Sequence, residues 1–160
     1  MELKQLYQDI ILEHGKSPRN LGKCEGYSHE AKGYNPLCGD KVHVYLKLDK
    51  EKKVDSLTFE GDGCAISLAS ASIMTESIKG KSLEETKEIK NAFLNMIKKT
   101  SEIQSNYLDE DQKTKLMSLS GVKQFPMRVK CATLSWHTLV SAMENKKEEI
   151  NTEKLDKRAS

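Results

Sequence analysis

Between Leu3 and Ile11 the apolar residues Leu3, Leu6, Tyr7, Ile10 and Ile11 recur three and four positions apart, the spacing of one face of an α-helix. Gly15 and Ser17-Pro18 close that run, so the pattern predicts a first amphipathic helix. The period then changes to two. Val42, Val44, Leu46 and Leu48 alternate with His43, Tyr45 and Lys47, which marks a half-buried strand. Val54 to Glu60 reads as its hairpin partner across a turn at Asp49-Lys50-Glu51-Lys52, and a third strand is expected within Ser28 to Tyr34.

After Gly61-Asp62-Gly63, the stretch from Cys64 to Ile78 is rich in Ala, Ser, Ile and Met and nearly free of charge. It predicts a largely buried helix stopped by Gly80. Ser82 and Glu85 form a capping box for the next helix, whose apolar side is Leu83, Ile89, Phe93, Met96 and Ile97 and which reaches about Lys99. A short helix is expected around Asp111 to Leu119. The last one is expected to begin near Cys131 and to run through Trp136, Leu139, Val140 and Met143. Strands followed by helices indicate an α+β fold, with a small antiparallel three-stranded sheet and helices packed on one face. Residues 1–145 read as a single domain and 146–160 as a charged, flexible tail.

Composition narrows the function classes. The chain has 160 residues, enough for one modest core. Charged residues make up 31% of it, yet the formal net charge is only +2, which speaks against a nucleic-acid partner. Met1-Glu2-Leu3-Lys4 places charges where a signal peptide needs an apolar run, and no stretch is apolar for long enough to span a bilayer. The expectation is a cytoplasmic protein, with no membrane partner and with reduced thiols.

Of the four cysteines, three stand at the ends of predicted elements. Cys38 lies in the turn Asn35-Pro36-Leu37-Cys38-Gly39-Asp40, Cys64 follows Gly61-Asp62-Gly63, and Cys131 follows Arg128-Val129-Lys130. Loop and element ends are where sites form. Cys38, Cys64 and Cys131 with Asp40 make a tetrahedral donor set for zinc, with soft sulfurs supplying most of the binding. The excess negative charge of such a set would be offset by helix N-termini at Cys64 and Cys131 and by Arg128 and Lys130. Each residue also has a plainer reading. Asp40 suits a turn, Arg128 and Lys130 suit a solvated strand, His43 and His137 suit a surface or helix face, and Trp136 suits the core. Cys24, with no comparable setting, reads as a small buried hydrophobe.

Several spaced segments resemble one family in the same order. They are Leu6-Tyr7 through His14-Gly15-Lys16-Ser17-Pro18-Arg19-Asn20, the Cys38 and Cys64 segments, Ser70-Ala71-Ser72, Lys79-Gly80-Lys81, and Arg128 through His137. Together they are similar to the IscU/SufU/NifU-N superfamily over nearly the whole chain. Scaffold-type IscU proteins carry His immediately before the third cysteine, where this chain has Lys130. The Arg-x-Lys-Cys pattern and an insertion from about Ala92 to Gly121 resemble the SufU-type zinc-dependent sulfurtransferases instead.

That resemblance implies a SufE/IscU-like fold, zinc on Cys38, Asp40, Cys64 and Cys131, and Cys38 as the acceptor of persulfide sulfur. It implies a pyridoxal-phosphate cysteine desulfurase of the SufS type as partner, one of whose histidines takes the place of Cys38 on zinc. Arg128 would then dock the partner or open the site, and downstream Suf scaffold proteins would receive the sulfur for iron–sulfur cluster assembly. Two alternatives stand beside it: a scaffold that builds a [2Fe–2S] cluster on the same ligands, and a structural zinc domain that only binds partners.

Overall fold

A computed structural model describes residues 2–146 and 148–159, the side chains of 156–159 excepted. The elements run α1 (Leu3–Lys16), β1 (His29–Asn35), β2 (Asp40–Leu48), β3 (Val54–Asp62), α2 (Ala65–Ile78), α3 (Leu83–Asn95), α4 (Glu110–Met117), α5 (Pro126–Met143), β4 (Ile150–Asn151) and α6 (Thr152–Ala159). A π-helical turn, Met96–Thr100, prolongs α3, and a 3-10 turn, Ser120–Gln124, leads into α5. Among the described residues no helix is long and apolar enough to cross a membrane.

The period-two residues form the sheet. β1 and β2 pair antiparallel from His29 opposite Leu46 to Asn35 opposite Asp40, and β2 and β3 pair antiparallel from Lys41 opposite Asp62 to Leu48 opposite Val54. Val42, Val44 and Leu46 of β2 and Val54, Leu57 and Phe59 of β3 are buried. They meet α2, α3 and α5 in one core that holds Ile73, Met74, Ile78, Ile89, Phe93 and Trp136. Phe93 stacks on Trp136 at 4.5 Å between ring centroids, and the indole N–H donates to Ser70 Oγ at 3.1 Å. The stretch 92–121 adds Ile97, Ile103, Leu108, Leu116 and Leu119 to this core, so it is packed rather than looped out.

Two expectations are corrected. The sheet has four strands in the order β3-β2-β1-β4 and is mixed rather than three-stranded and antiparallel. β4 lies parallel to β1, with Gly33 opposite Ile150 and Tyr34 opposite Asn151. It covers backbone groups that β1 would otherwise present as an open edge. This strand comes from the segment that reads as a charged tail, and two residues are too few to leave a periodic signal.

The last helix also begins earlier, at Pro126 rather than near Cys131. Proline at the first helical position loses no hydrogen bond and brings a preset φ. Arg128 and Lys130 are therefore helical rather than on a strand, and Cys131 sits in the second turn, where its backbone N–H is no longer a free helix end.

Candidate metal centre

The tip of the β1–β2 hairpin, the passage from β3 into α2 and the second turn of α5 meet at one end of the molecule. Pro36 to Gly39 close the hairpin. The N–H of Gly39 donates to the Asn35 carbonyl at 2.9 Å, and its φ of +72° is a left-handed conformation suited to glycine. This turn leaves Cys38 exposed and returns the chain so that Asp40, the first residue of β2, is fully buried.

The Asp40 carboxylate is held on both oxygens. Oδ1 accepts from the Cys64 backbone N–H at 3.0 Å, and Oδ2 accepts from Asn35 Nδ2 at 3.1 Å. Gly63 makes the first contact possible, because a Cβ there would stand 2.5 Å from Asp40 Oδ1. Cys64 is the N-cap of α2, its sulfur accepting from the Ser67 N–H at 3.4 Å. Cys131 is buried, and its thiol donates to Cys38 Sγ at 3.4 Å while accepting from Asn35 Nδ2 at 3.6 Å.

Among the described residues the ligand atoms of Cys38, Asp40 and Cys131 lie within 4.8 Å of one another. Cys64 adjoins this trio without joining it: its backbone N–H donates to Asp40 Oδ1 while its sulfur caps α2. Three of the four expected ligands are thus brought together, and the fourth touches one of them.

The electrostatics follow from that crowding. The side-chain interaction between Cys64 and Cys131 is the largest influence on both thiols. It lowers Cys64 to about 6, against the burial that opposes it, and raises Cys131 well above the ordinary thiol range, with burial acting in the same direction. Asp40 is buried on two neutral donors, and among the described residues no ion pair reaches it. A buried carboxylate beside three thiols, with protons shared where a cation would sit, fits a divalent thiophilic ion such as zinc, which displaces those protons on binding.

The two basic residues lie differently from the expectation that they would offset this charge. Lys130 Nζ is 2.6 Å from Glu153 Oε1, so its charge is paired there. Arg128 is exposed, with its guanidinium 4.5 Å over the Phe125 ring. It borders a cavity of about 650 Å³ whose apolar lining includes Leu3, Tyr7, Ile11, Ile66 and Phe125. Cys24 is buried away from the trio, its thiol donating to Ser56 Oγ at 3.5 Å. His43 is half-buried on β2, with Nε2 2.7 Å from Glu30, and His137 is half-buried on α5.

Asn35 was not singled out from the sequence as a site residue. It stands in the turn segment of Cys38, and its type, a carboxamide able to donate twice, was the available signal.

The sequence matches the family of the NifU-like N terminal domain over residues 6–132. The chain belongs to this family. Within it, the NifU-like chain is 41% identical over 137 residues to the zinc-dependent sulfurtransferase SufU of Bacillus subtilis (strain 168), covering 86% of this chain and 88% of the relative. It is 35% identical over 143 residues to the iron–sulfur cluster assembly scaffold protein IscU of Streptococcus pyogenes serotype M1, covering 89% and 86%. A crystal structure from thermophilic Fervidobacterium islandicum AW-1, described as an iron–sulfur cluster assembly scaffold protein for the SUF system (SufU), superimposes with a TM-score of 0.74 at 35% identity, over 87% of this chain and 97% of that one. Of these three relatives, one is named for sulfur transfer and two for cluster assembly.

Proposed function

We propose that this protein is a zinc-dependent sulfurtransferase that accepts persulfide sulfur from a cysteine desulfurase for iron–sulfur cluster assembly. The observation that carries the reading is the asymmetry of the trio: Cys38 is exposed, while Asp40 and Cys131, within ligand reach of it, are buried. Buried donors can retain an ion while the exposed sulfur meets a partner. The 41% identity to a protein named as a zinc-dependent sulfurtransferase supports the same assignment.

Cys38, Asp40, Cys64 and Cys131 would hold the zinc. When bound, zinc supplies a charge that keeps thiols deprotonated without redox chemistry of its own. Cys38 is the acceptor: its thiolate attacks the outer sulfur of the desulfurase persulfide, the existing S–S bond breaks, and the desulfurase cysteine leaves as a thiolate. The product is a persulfide on Cys38, with no net oxidation. Arg128, exposed beside the apolar cavity, contacts the desulfurase, a SufS-type enzyme that brings its own pyridoxal phosphate. Downstream Suf scaffold proteins take the sulfur on.

The relatives named IscU support a second reading, a scaffold carrying a [2Fe–2S] cluster on the same residues. The pairing of Lys130 with Glu153 weighs against it, because the position before Cys131 then supplies no ligand. Cysteine turnover by a SufS-type desulfurase, with the zinc-loaded protein and with its Cys38→Ala variant, separates the two. Stimulation that requires Cys38, with sulfane sulfur found on Cys38, is expected. No stimulation, together with a stable [2Fe–2S] cluster passed on to an acceptor, would transfer the assignment to the scaffold.

A further inference from the structure

Four residues near the end of the described chain tie β1, the strand that ends at Asn35 beside the ligand turn, to α5, the helix that carries Cys131. Ile150 and Asn151 pair with Gly33 and Tyr34 of β1, immediately ahead of Asn35. Buried Thr152 donates from Oγ1 to Asn35 Oδ1 at 3.1 Å. Glu153 accepts from Lys130, the neighbour of Cys131, at 2.6 Å.

The Asn35 carboxamide is the hub. It is fully buried, and its nitrogen spends both hydrogens on candidate ligands, one on Asp40 Oδ2 at 3.1 Å and one on Cys131 Sγ at 3.6 Å. Turned over, the amide would set its oxygen against a carboxylate and a sulfur. The observed orientation needs a donor for the amide oxygen in a place water does not reach, and the Thr152 hydroxyl is that donor.

We propose that Asn35 and Thr152 are positioning residues of the metal centre, with segment Ile150 to Glu153 acting as a strap that fixes Asp40 and Cys131 at the separation an ion requires. The inference rests on the metal reading given under Proposed function, but not on sulfur transfer. Partners that orient ligands from outside the coordination sphere typically change metal affinity by about 10- to 100-fold when removed. Thr152→Val keeps the shape and deletes the donor, whereas Thr152→Ser keeps the donor.

The test is zinc affinity of the full chain by competition with a chromophoric chelator, together with the thiolate-to-metal absorption of the cobalt(II) form. The expected result is a roughly tenfold or greater loss of zinc affinity and an altered cobalt spectrum in Thr152→Val, with both restored in Thr152→Ser. Should the valine variant fail to fold, Glu153→Gln releases the strap from the outside and is expected to weaken zinc binding in the same direction. Wild-type affinity and spectrum in Thr152→Val, even with lowered thermal stability, would reduce Thr152 to a structural residue and overturn the proposal. A wild-type chain that binds no zinc would remove it together with the metal reading beneath it.

Discussion

Helix α2 borders two polar clusters, and they are completed in opposite ways. In its middle, Ser72 Oγ meets His14 Nδ1 at 2.7 Å and the Arg19 N–H at 2.8 Å, while Thr75 Oγ1 accepts from Asn20 Nδ2 at 2.9 Å and donates to the Ser72 carbonyl at 2.7 Å. The buried Ser72 and Thr75 hydroxyls are each bonded there, and the cluster pins the end of α1 and the loop after it onto α2. At its N-terminus, Cys38, Asp40 and Cys131 crowd together with Cys64 beside them, and one thiol hydrogen, from Cys131 to Cys38, stands among four groups that can each be anionic. A network closed by its own hydrogen bonds gains nothing from an ion, whereas a network of anions and thiols does.

Metal should therefore distinguish the two clusters. The largest expected effect is chelation of the zinc-loaded protein. At free zinc about a thousandfold above Kd, binding adds about 4 kcal/mol, so stripping the metal should lower Tm by about 8–16 °C for a chain of this size. Scanning calorimetry with and without chelator measures it. An unchanged Tm would mean that the thiol cluster is closed without an ion, like its neighbour on α2.

Asp40→Asn sharpens the point. It removes the buried charge while nearly keeping the shape, so most of the zinc-dependent rise in Tm should disappear. The metal-free Tm should change less than the zinc-dependent rise, because relief of the costly buried carboxylate is set against one of its two donors being left facing the new amide N–H. A variant weakened equally in both forms would show that Asp40 is structural. Ser72→Ala should behave in the reverse manner. It strands the His14 ring nitrogen and the Arg19 N–H, at a cost of about 1–3 kcal/mol, and metal-free and zinc-loaded protein should lose the same amount in parallel denaturation curves.

The smallest effect is one of pH. Burial, the largest influence, lowers the His14 pKa from its ordinary value of 6.5. The folded protein then resists a proton that the unfolded chain accepts. Stability should be unaffected by this residue above 6.5 and should decline as pH falls from there toward the lowered value. Urea midpoints of metal-free protein should show this acid loss in the wild type and a flatter profile in His14→Gln.

Much of this was legible before the structure. The period-two run at Val42 to Leu48, the capping box at Ser82 and the uncharged stretch after Cys64 each became the element they signalled, because each pattern is set by which side of a local backbone repeat meets the core. The Cys38-Gly39-Asp40 tripeptide likewise reads as a turn, and it closes the β1–β2 hairpin. Other features were not legible or were misjudged. Pro126 was a visible start signal for α5, overshadowed by the cysteine five residues on, and it moved Cys131 off the helix end. Asp109 and Gln112 make a second capping box that set the start of α4. The sulfur of Cys64 caps its own helix and lies outside the trio, a placement that no spacing encodes.

The sequence by itself determined the local repeats, the turn that exposes Cys38, and the donor types that suit a thiophilic ion. These depend on residues within a few positions of one another. Only the tertiary structure decided that Asp40 and Cys131 come together 91 positions apart, that Asn35 serves both, and that Thr152 and Glu153 secure them. Such contacts depend on how sheet and helices pack, and a single buried hydroxyl or a two-residue strand leaves no period in the chain from which to read them.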